Sequence, residues 1–139
     1  MIIDAKDLIL GRMATAVAKK ALEGETISIV NCEKAVITGK KDTVLARQNI
    51  RQAMGHHIRG PFYYREPDFF IKRSIRGMLA HKTSRGSQAF KRIRCHVGVP
   101  SSLRDQKAQS IEDAHISNSN AEDYVTVGQI CKLQGAKRV

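Results

Sequence analysis

Between positions 59 and 94 the chain carries Arg59, Arg65, Lys72, Arg73, Arg76, Lys82, Arg85, Lys91, Arg92 and Arg94, interleaved with Phe62, Tyr63 and Tyr64. Guanidinium forks pair with phosphate oxygens, ammonium groups supply point charge, and rings stack on unpaired bases. This mixture predicts a phosphate-rich, base-bearing ligand. Tyr63 and Tyr64 suit either a stacking or a packing role, since each has an apolar body and a polar tip. Phe62, Phe69, Phe70 and Phe90 read as core.

Catalytic patterns are missing by comparison. Gly39-Lys40-Lys41 follows an apolar run and precedes a helical one, but a P-loop needs Gly at position 34 and Ser or Thr at position 41, where this chain has Lys34 and Lys41. Lys40 and Lys41 can still meet a phosphate backbone at the start of a helix. Cys95 and His96 are adjacent in a strand-like run, so they point to opposite faces and cannot act on each other. Cys32 and Cys131 sit among apolar neighbours and read as small buried hydrophobes. The five histidines show no HExxH spacing, and the acids are scattered. The expectation is no enzyme, no metal and no cofactor.

The charge has an address. Of 139 residues 24 are Lys or Arg and 13 Asp or Glu, a formal net charge of +11. Residues 51–100 hold eleven basic and two acidic groups, +9, whereas residues 1–50 carry +2 and residues 101–139 balance to zero. A localised surplus of this kind is the footprint of a phosphate-binding surface, and inert surfaces usually intersperse both signs. No apolar run approaches the ~18 residues of a membrane span. The opening Met1–Asp7 contains two acids and does not read as a signal or transit peptide. Three widely spaced cysteines argue against a disulfide framework and for a reducing, cytoplasmic setting.

These side chains need a scaffold. Ile2-Ile3 reads as a short strand; Ala14, Val17, Ala18, Ala21 and Leu22 recur at helical spacing and stop at Gly24. Thr26–Asn31 and Ala35–Thr38 are β-branched strands, and Asp42–Met54 a helix carrying Leu45, Ile50, Ala53 and Met54. The order β-α-β-β-α predicts an α/β architecture with part of the sheet parallel. A loop between Gly60-Pro61 and Glu66-Pro67 holds the aromatics. Helix resumes at Pro67, with Ile71, Ile75, Met78 and Leu79 as its apolar stripe, then a short helical piece over Ser87–Lys91 and a strand over Ile93–Val97. Thr126-Val127-Gly128-Gln129 has capping-box spacing for a short terminal helix ending near Gly135.

Arg59-Gly60-Pro61-Phe62-Tyr63-Tyr64-Arg65-Glu66-Pro67, Arg73-Ser74-Ile75-Arg76-Gly77-Met78-Leu79-Ala80-His81-Lys82-Thr83 and Arg85-Gly86 resemble the archaeal and eukaryotic branch of the large-subunit ribosomal protein L-thirteen family. So do Leu10–Ala14, Val30–Lys41 and Val125–Ile130, and the short tail is most like the archaeal form. Two positions depart from it. Ala80 stands where the family often has Pro, which lets the preceding helix run further toward His81, and Cys32 replaces a commoner Ala.

The resemblance implies a three-layer α/β/α fold around a four-stranded parallel sheet, with a basic helical and loop region and a short C-terminal tail helix. It implies one ribosomal domain over 1–139: an α/β first part over 1–54, a basic RNA-binding region over 55–92, a last strand over 93–100 and a polar, charge-balanced tail over 101–139. The implied role is that of a structural constituent of the large ribosomal subunit. Its partners would be large-subunit rRNA and neighbouring ribosomal proteins, with no membrane, no small-molecule substrate and no homo-oligomer. The RNA contacts carried over are Arg12, Lys40, Lys41, Arg59, Tyr63, Tyr64, Arg65, Lys72, Arg73, Arg76, His81, Lys82, Arg85, Lys91, Arg92 and Arg94. Alternatives are a free-standing RNA-binding regulator and, against the broken P-loop, a small nucleotide-dependent enzyme.

Overall fold

The computed structural model describes residues 1–139. Strand β1 (Ile2–Asp4) is followed by α1 (Leu10–Glu23), β2 (Ile27–Val30), β3 (Val36–Thr38) and α2 (Lys41–Ala53). Then come α3 (Pro67–Met78), α4 (Ser84–Lys91), β4 (Ile93–Cys95), β5 (Tyr124–Thr126) and α5 (Val127–Leu133). The expected β-α-β-β-α beginning is present. No helix is long and apolar enough to cross a membrane.

Helix α1 buries Leu10, Met13, Ala14, Val17, Ala18 and Ala21, a single stripe at i, i+3, i+4 spacing. It ends at Gly24, whose φ of 109° is left-handed and whose N–H reaches back to the carbonyls of Lys20 and Ala21. Strands β1, β2 and β4 form a parallel sheet in the order β1-β2-β4, with Ile3 opposite Ile29 and Ile27 opposite Ile93. Alternation places Ile3, Ile27, Ile29 and Ile93 on one face, where they join α1, α3 and Ala89 of α4 in the main core. Each fully buried Ile contributes about 1.5–3 kcal/mol to this packing.

The parallel sheet has three strands, not the expected four. Beyond β1 the next position is held by Gln109 alone, through Asp4 N–H to Gln109 carbonyl (3.0 Å) and Gln109 N–H to Ile2 carbonyl (2.9 Å). The surrounding Arg104-Asp105-Gln106-Lys107 run offers no alternating apolar side chains to extend that single bridge into a strand. Strand β3 leaves the parallel sheet and pairs antiparallel with β5, Ile37 opposite Val125. Val125, Val44 of α2 and Ile130 of α5 form a second, small core under this pair. The region read as a polar tail therefore supplies a strand, and α5 follows it through the expected capping box between Thr126 and Gln129.

Helix α3 starts with Pro67 in its first turn and buries Ile71 and Ile75, but Met78 is 45% exposed and falls off the stripe. It stops at Met78, with Leu79 already extended, so the Ala in place of Pro at position 80 does not lengthen it. Ala80 is occupied otherwise: its carbonyl accepts from the Thr83 N–H (2.9 Å) and the Thr83 hydroxyl (2.8 Å). Thr83 also caps α4 by accepting the Gly86 N–H at 3.2 Å, which starts that helix three residues before the expected Ser87. A Cβ at Gly86 would run into the Ala80 carbonyl, so the α3–α4 corner closes only over glycine.

Candidate nucleic-acid interface

Helix α3 turns its inner stripe to the core and leaves Lys72, Arg73 and Arg76 half-buried on its flanks. Their neighbours are rings. The Arg73 guanidinium lies 4.1 Å from the Tyr63 ring centre and its Nη1 donates to the Phe62 carbonyl at 3.0 Å, tying the aromatic loop to the helix. Lys72 Nζ sits 5.2 Å from the centre of Phe90 on α4, and Tyr64 packs on Phe69 with centroids 5.2 Å apart. Cation–ring contacts at such half-buried surface positions are worth about 0.5–1 kcal/mol each. They orient the cations without neutralising them.

Tyr64, Phe69, Lys72, Arg73, Arg76 and Phe90 line one groove of about 220 Å³, and Arg94 of β4 joins Lys72 and Phe69 in a second of about 240 Å³. Arg65 and Tyr63 border a third cleft, of about 380 Å³, with His56, His57 and Phe62. The structure thus gathers Tyr63, Tyr64, Arg65, Lys72, Arg73, Arg76 and Arg94 around α3. Arg59 is exposed in the preceding loop.

The single ion pair of the molecule joins Glu66 to Arg138 at 4.0 Å. That carboxylate also accepts the backbone N–H groups of Lys137 and Arg138 at 3.2 Å each, so the C-terminal end takes up one of the two acids of the basic region. The other, Asp68, accepts its neighbour's N–H at the start of α3. No cation of the α3 face is paired with a carboxylate, which leaves the field open to an external anion.

Other expected contacts lie elsewhere. His81, Lys82, Arg85 and Lys91 are exposed along the α3–α4 turn and α4. Lys40 and Lys41 stand at the start of α2, beside the β3–β5 pair. Two have internal partners: Arg12 donates to the carbonyls of Asp113 (3.4 Å) and Asn118 (3.5 Å), and Arg92 to the Ala21 carbonyl at the end of α1 (3.2 Å). Phe62 and Phe69, expected in the core, are 56% and 43% exposed, while Phe70 and Phe90 pack against the core's edge. Their exposure follows from loop and helix-flank positions. A signal was present for Phe69, which falls outside the 71-75-79 stripe.

The thiols take no part. Cys131 is held protonated, its pKa pushed up to about 12 by burial and by the nearby charges of Glu66 and Asp68. Cys32 is pushed up by its neighbour Cys95 and by burial. No three His, Cys, Asp or Glu side chains converge as a metal site.

The family described as Ribosomal protein L13 matches residues 1–102. A large ribosomal subunit protein uL13 from Methanococcoides burtonii is 41% identical over 136 residues, covering 98% of each chain. Those from Methanosarcina barkeri (42% identical, 98% of each chain) and Archaeoglobus fulgidus (41%, 99% of this chain and 89% of the relative) are similar to the same extent.

Proposed function

The chain belongs to the ribosomal protein L13 family, and from that premise we propose that it is a structural constituent of the large ribosomal subunit that grips large-subunit rRNA with the α3 face. It is a structural protein and not an enzyme. The observation that carries the RNA contact is the set of cations Lys72, Arg73, Arg76 and Arg94, none paired with a carboxylate, held among the half-buried rings of Tyr63 and Phe90 and the exposed rings of Tyr64 and Phe69. Phosphate neutralisation and shape dominate, because the deep groove of A-form RNA excludes side chains, while loops and bulges can offer bases to Tyr63 and Tyr64. Arg59, His81, Lys82, Arg85 and Lys91 extend the contact along residues 55–92, and Lys40 and Lys41 add a separate one.

Arg12 and Arg92 act first as internal ties, with their remaining donors turned to RNA. The charge-balanced residues 101–139 face neighbouring ribosomal proteins in the same reading, and the protein works as a single copy at the ribosome. The layering implied by the family resemblance, helices on both faces of the sheet, belongs to this reading too.

The test is binding of the full chain to large-subunit rRNA fragments across a salt series. With roughly six to ten phosphate contacts the affinity falls about 10³- to 10⁵-fold between 50 and 200 mM salt. An affinity that hardly moves over that range refutes phosphate neutralisation as the mechanism.

A further inference from the structure

One cavity is not explained by phosphate neutralisation. It measures about 280 Å³ and lies between α2, the aromatic loop, α3 and the end of α5, with Tyr63, Phe70, Arg51, Arg73, Gln48 and Gln134 in its wall. Its two glutamines are unusual. Gln48 is 8% and Gln134 9% exposed, in a protein whose only other buried polar residue is Asn31. The Asn31 amide is satisfied by Asp4 at 2.9 Å, whereas the Gln134 Nε2 has no hydrogen-bond partner and is sealed just behind the cavity wall, so a ligand reaches it when the carboxamide turns outward. A buried amide left this way costs about 1–3 kcal/mol, and such groups in folded proteins call for a missing partner.

The wall chemistry narrows what that partner is. Arg73 has one face on Tyr63 and one donor on the Phe62 carbonyl, so it keeps single donors for one phosphate on the α3 face but does not present its two-pronged fork to an anion inside the cavity. Aromatic walls favour a flat ring, and carboxamides present a donor and an acceptor side by side, the pattern that pairs with the edge of a base. The volume is near the lower end of the ~300–1,000 Å³ of small-ligand sites, suited to one planar group and too small for a helix or strand. We propose that this cavity receives a single unpaired nucleobase of the large-subunit rRNA, held between Tyr63 and Phe70 and read at its edge by Gln134 and Gln48. Adenine fits best, because a glutamine amide meets its N6 and N7 together. The inference rests on the reading of the protein as an rRNA binder and adds a base-reading site to a surface otherwise tuned to backbone.

The experiment titrates the full chain with AMP, GMP, CMP and UMP, and with ribose 5-phosphate as the baseless control, following the side-chain amide signals of Gln48 and Gln134 and the ring signals of Tyr63 and Phe70 by NMR. The expected result is saturable shifts with a Kd on the order of 1–10 mM, AMP tightest, and none with ribose 5-phosphate. Saturation by any of the four nucleotides that the control does not reproduce supports the site; shifts that the control reproduces, or no shifts at all, overturn it.

Gln134→Leu gives a second readout. It removes an amide with no partner in the free protein, so the fold is kept or slightly stabilised, while affinity for large-subunit rRNA drops about fivefold to tenfold with an unchanged salt slope, since no charge is lost. Unaltered rRNA affinity in this variant also overturns the site. Should the wild-type protein fail to bind rRNA at all, it is the functional reading that falls; normal rRNA binding with no response to any nucleotide removes only the pocket.

Discussion

Replacing Arg73 and Arg76 one at a time by Gln separates what the α3 cations do for the protein from what they do for RNA. Arg73 holds the aromatic loop: its guanidinium lies 4.1 Å from the Tyr63 ring and bonds the Phe62 carbonyl at 3.0 Å. Losing a cation–ring contact of about 0.5–1 kcal/mol and a hydrogen bond of about 1 kcal/mol makes Arg73→Gln about 1.5–2 kcal/mol less stable. Arg76 lines the neighbouring groove but makes no hydrogen bond or ring contact inside the chain, so Arg76→Gln stays within about 0.5 kcal/mol of the parent. Toward RNA the two converge. Each substitution removes one phosphate contact, which lowers the slope of log affinity against log salt by about 0.7–0.9. It also weakens binding roughly tenfold to a hundredfold at low salt, the range of a charge-assisted hydrogen bond of about 1.5–3 kcal/mol. Urea unfolding measures the first quantity, and filter binding to a large-subunit rRNA fragment at several salt concentrations the second. An Arg76→Gln protein with parental affinity and slope refutes the placement of the interface on α3, and equal destabilisation by both substitutions refutes the role given to Arg73 as the loop's tie.

Two further outcomes follow from packing and titration. Gly86→Ala, which in an open helix would stabilise by about 0.5–1 kcal/mol, here forces a methyl group onto the Ala80 carbonyl and destabilises by about 1–3 kcal/mol or more, read as a lower urea midpoint. The Cys131 thiol, at about 12 when folded and near 9 in the unfolded chain, keeps its proton in the native state after the unfolded state has lost it. Stability is therefore flat with respect to this group below pH 9 and falls as pH rises from about 9 to about 12, with Cys32 acting in the same direction. Unfolding of Cys131→Ala over that window shows a shallower decline, and an identical decline would assign the alkaline loss to other groups.

Much of the architecture was legible from local pattern. The 3.6-residue stripe of α1 with Gly24 behind it, the Pro67 start of α3 and the Thr126–Gln129 capping box are written in neighbouring residues, because helix termini are settled within one turn. The sheet was less legible. Short three-residue strands carry almost no period, so β5 was hidden in a polar stretch, and the fourth parallel strand dwindled to the single bridge at Gln109. At the interface Arg12 and Arg92 look like their neighbours in sequence, but carbonyls far along the chain engage them as internal ties.

By itself, then, the sequence determined that this protein carries a strongly localised positive segment interleaved with aromatic residues, since charge and residue type do not depend on folding. Its segments also identified the family. The tertiary structure alone decided which cations stand free, because a carbonyl or carboxylate more than sixty residues away can quench one Arg and spare the next. It decided as well that Gln48 and Gln134, separated by 86 positions, would meet across a cavity with an amide unsatisfied. Such a juxtaposition costs desolvation that no local pattern records.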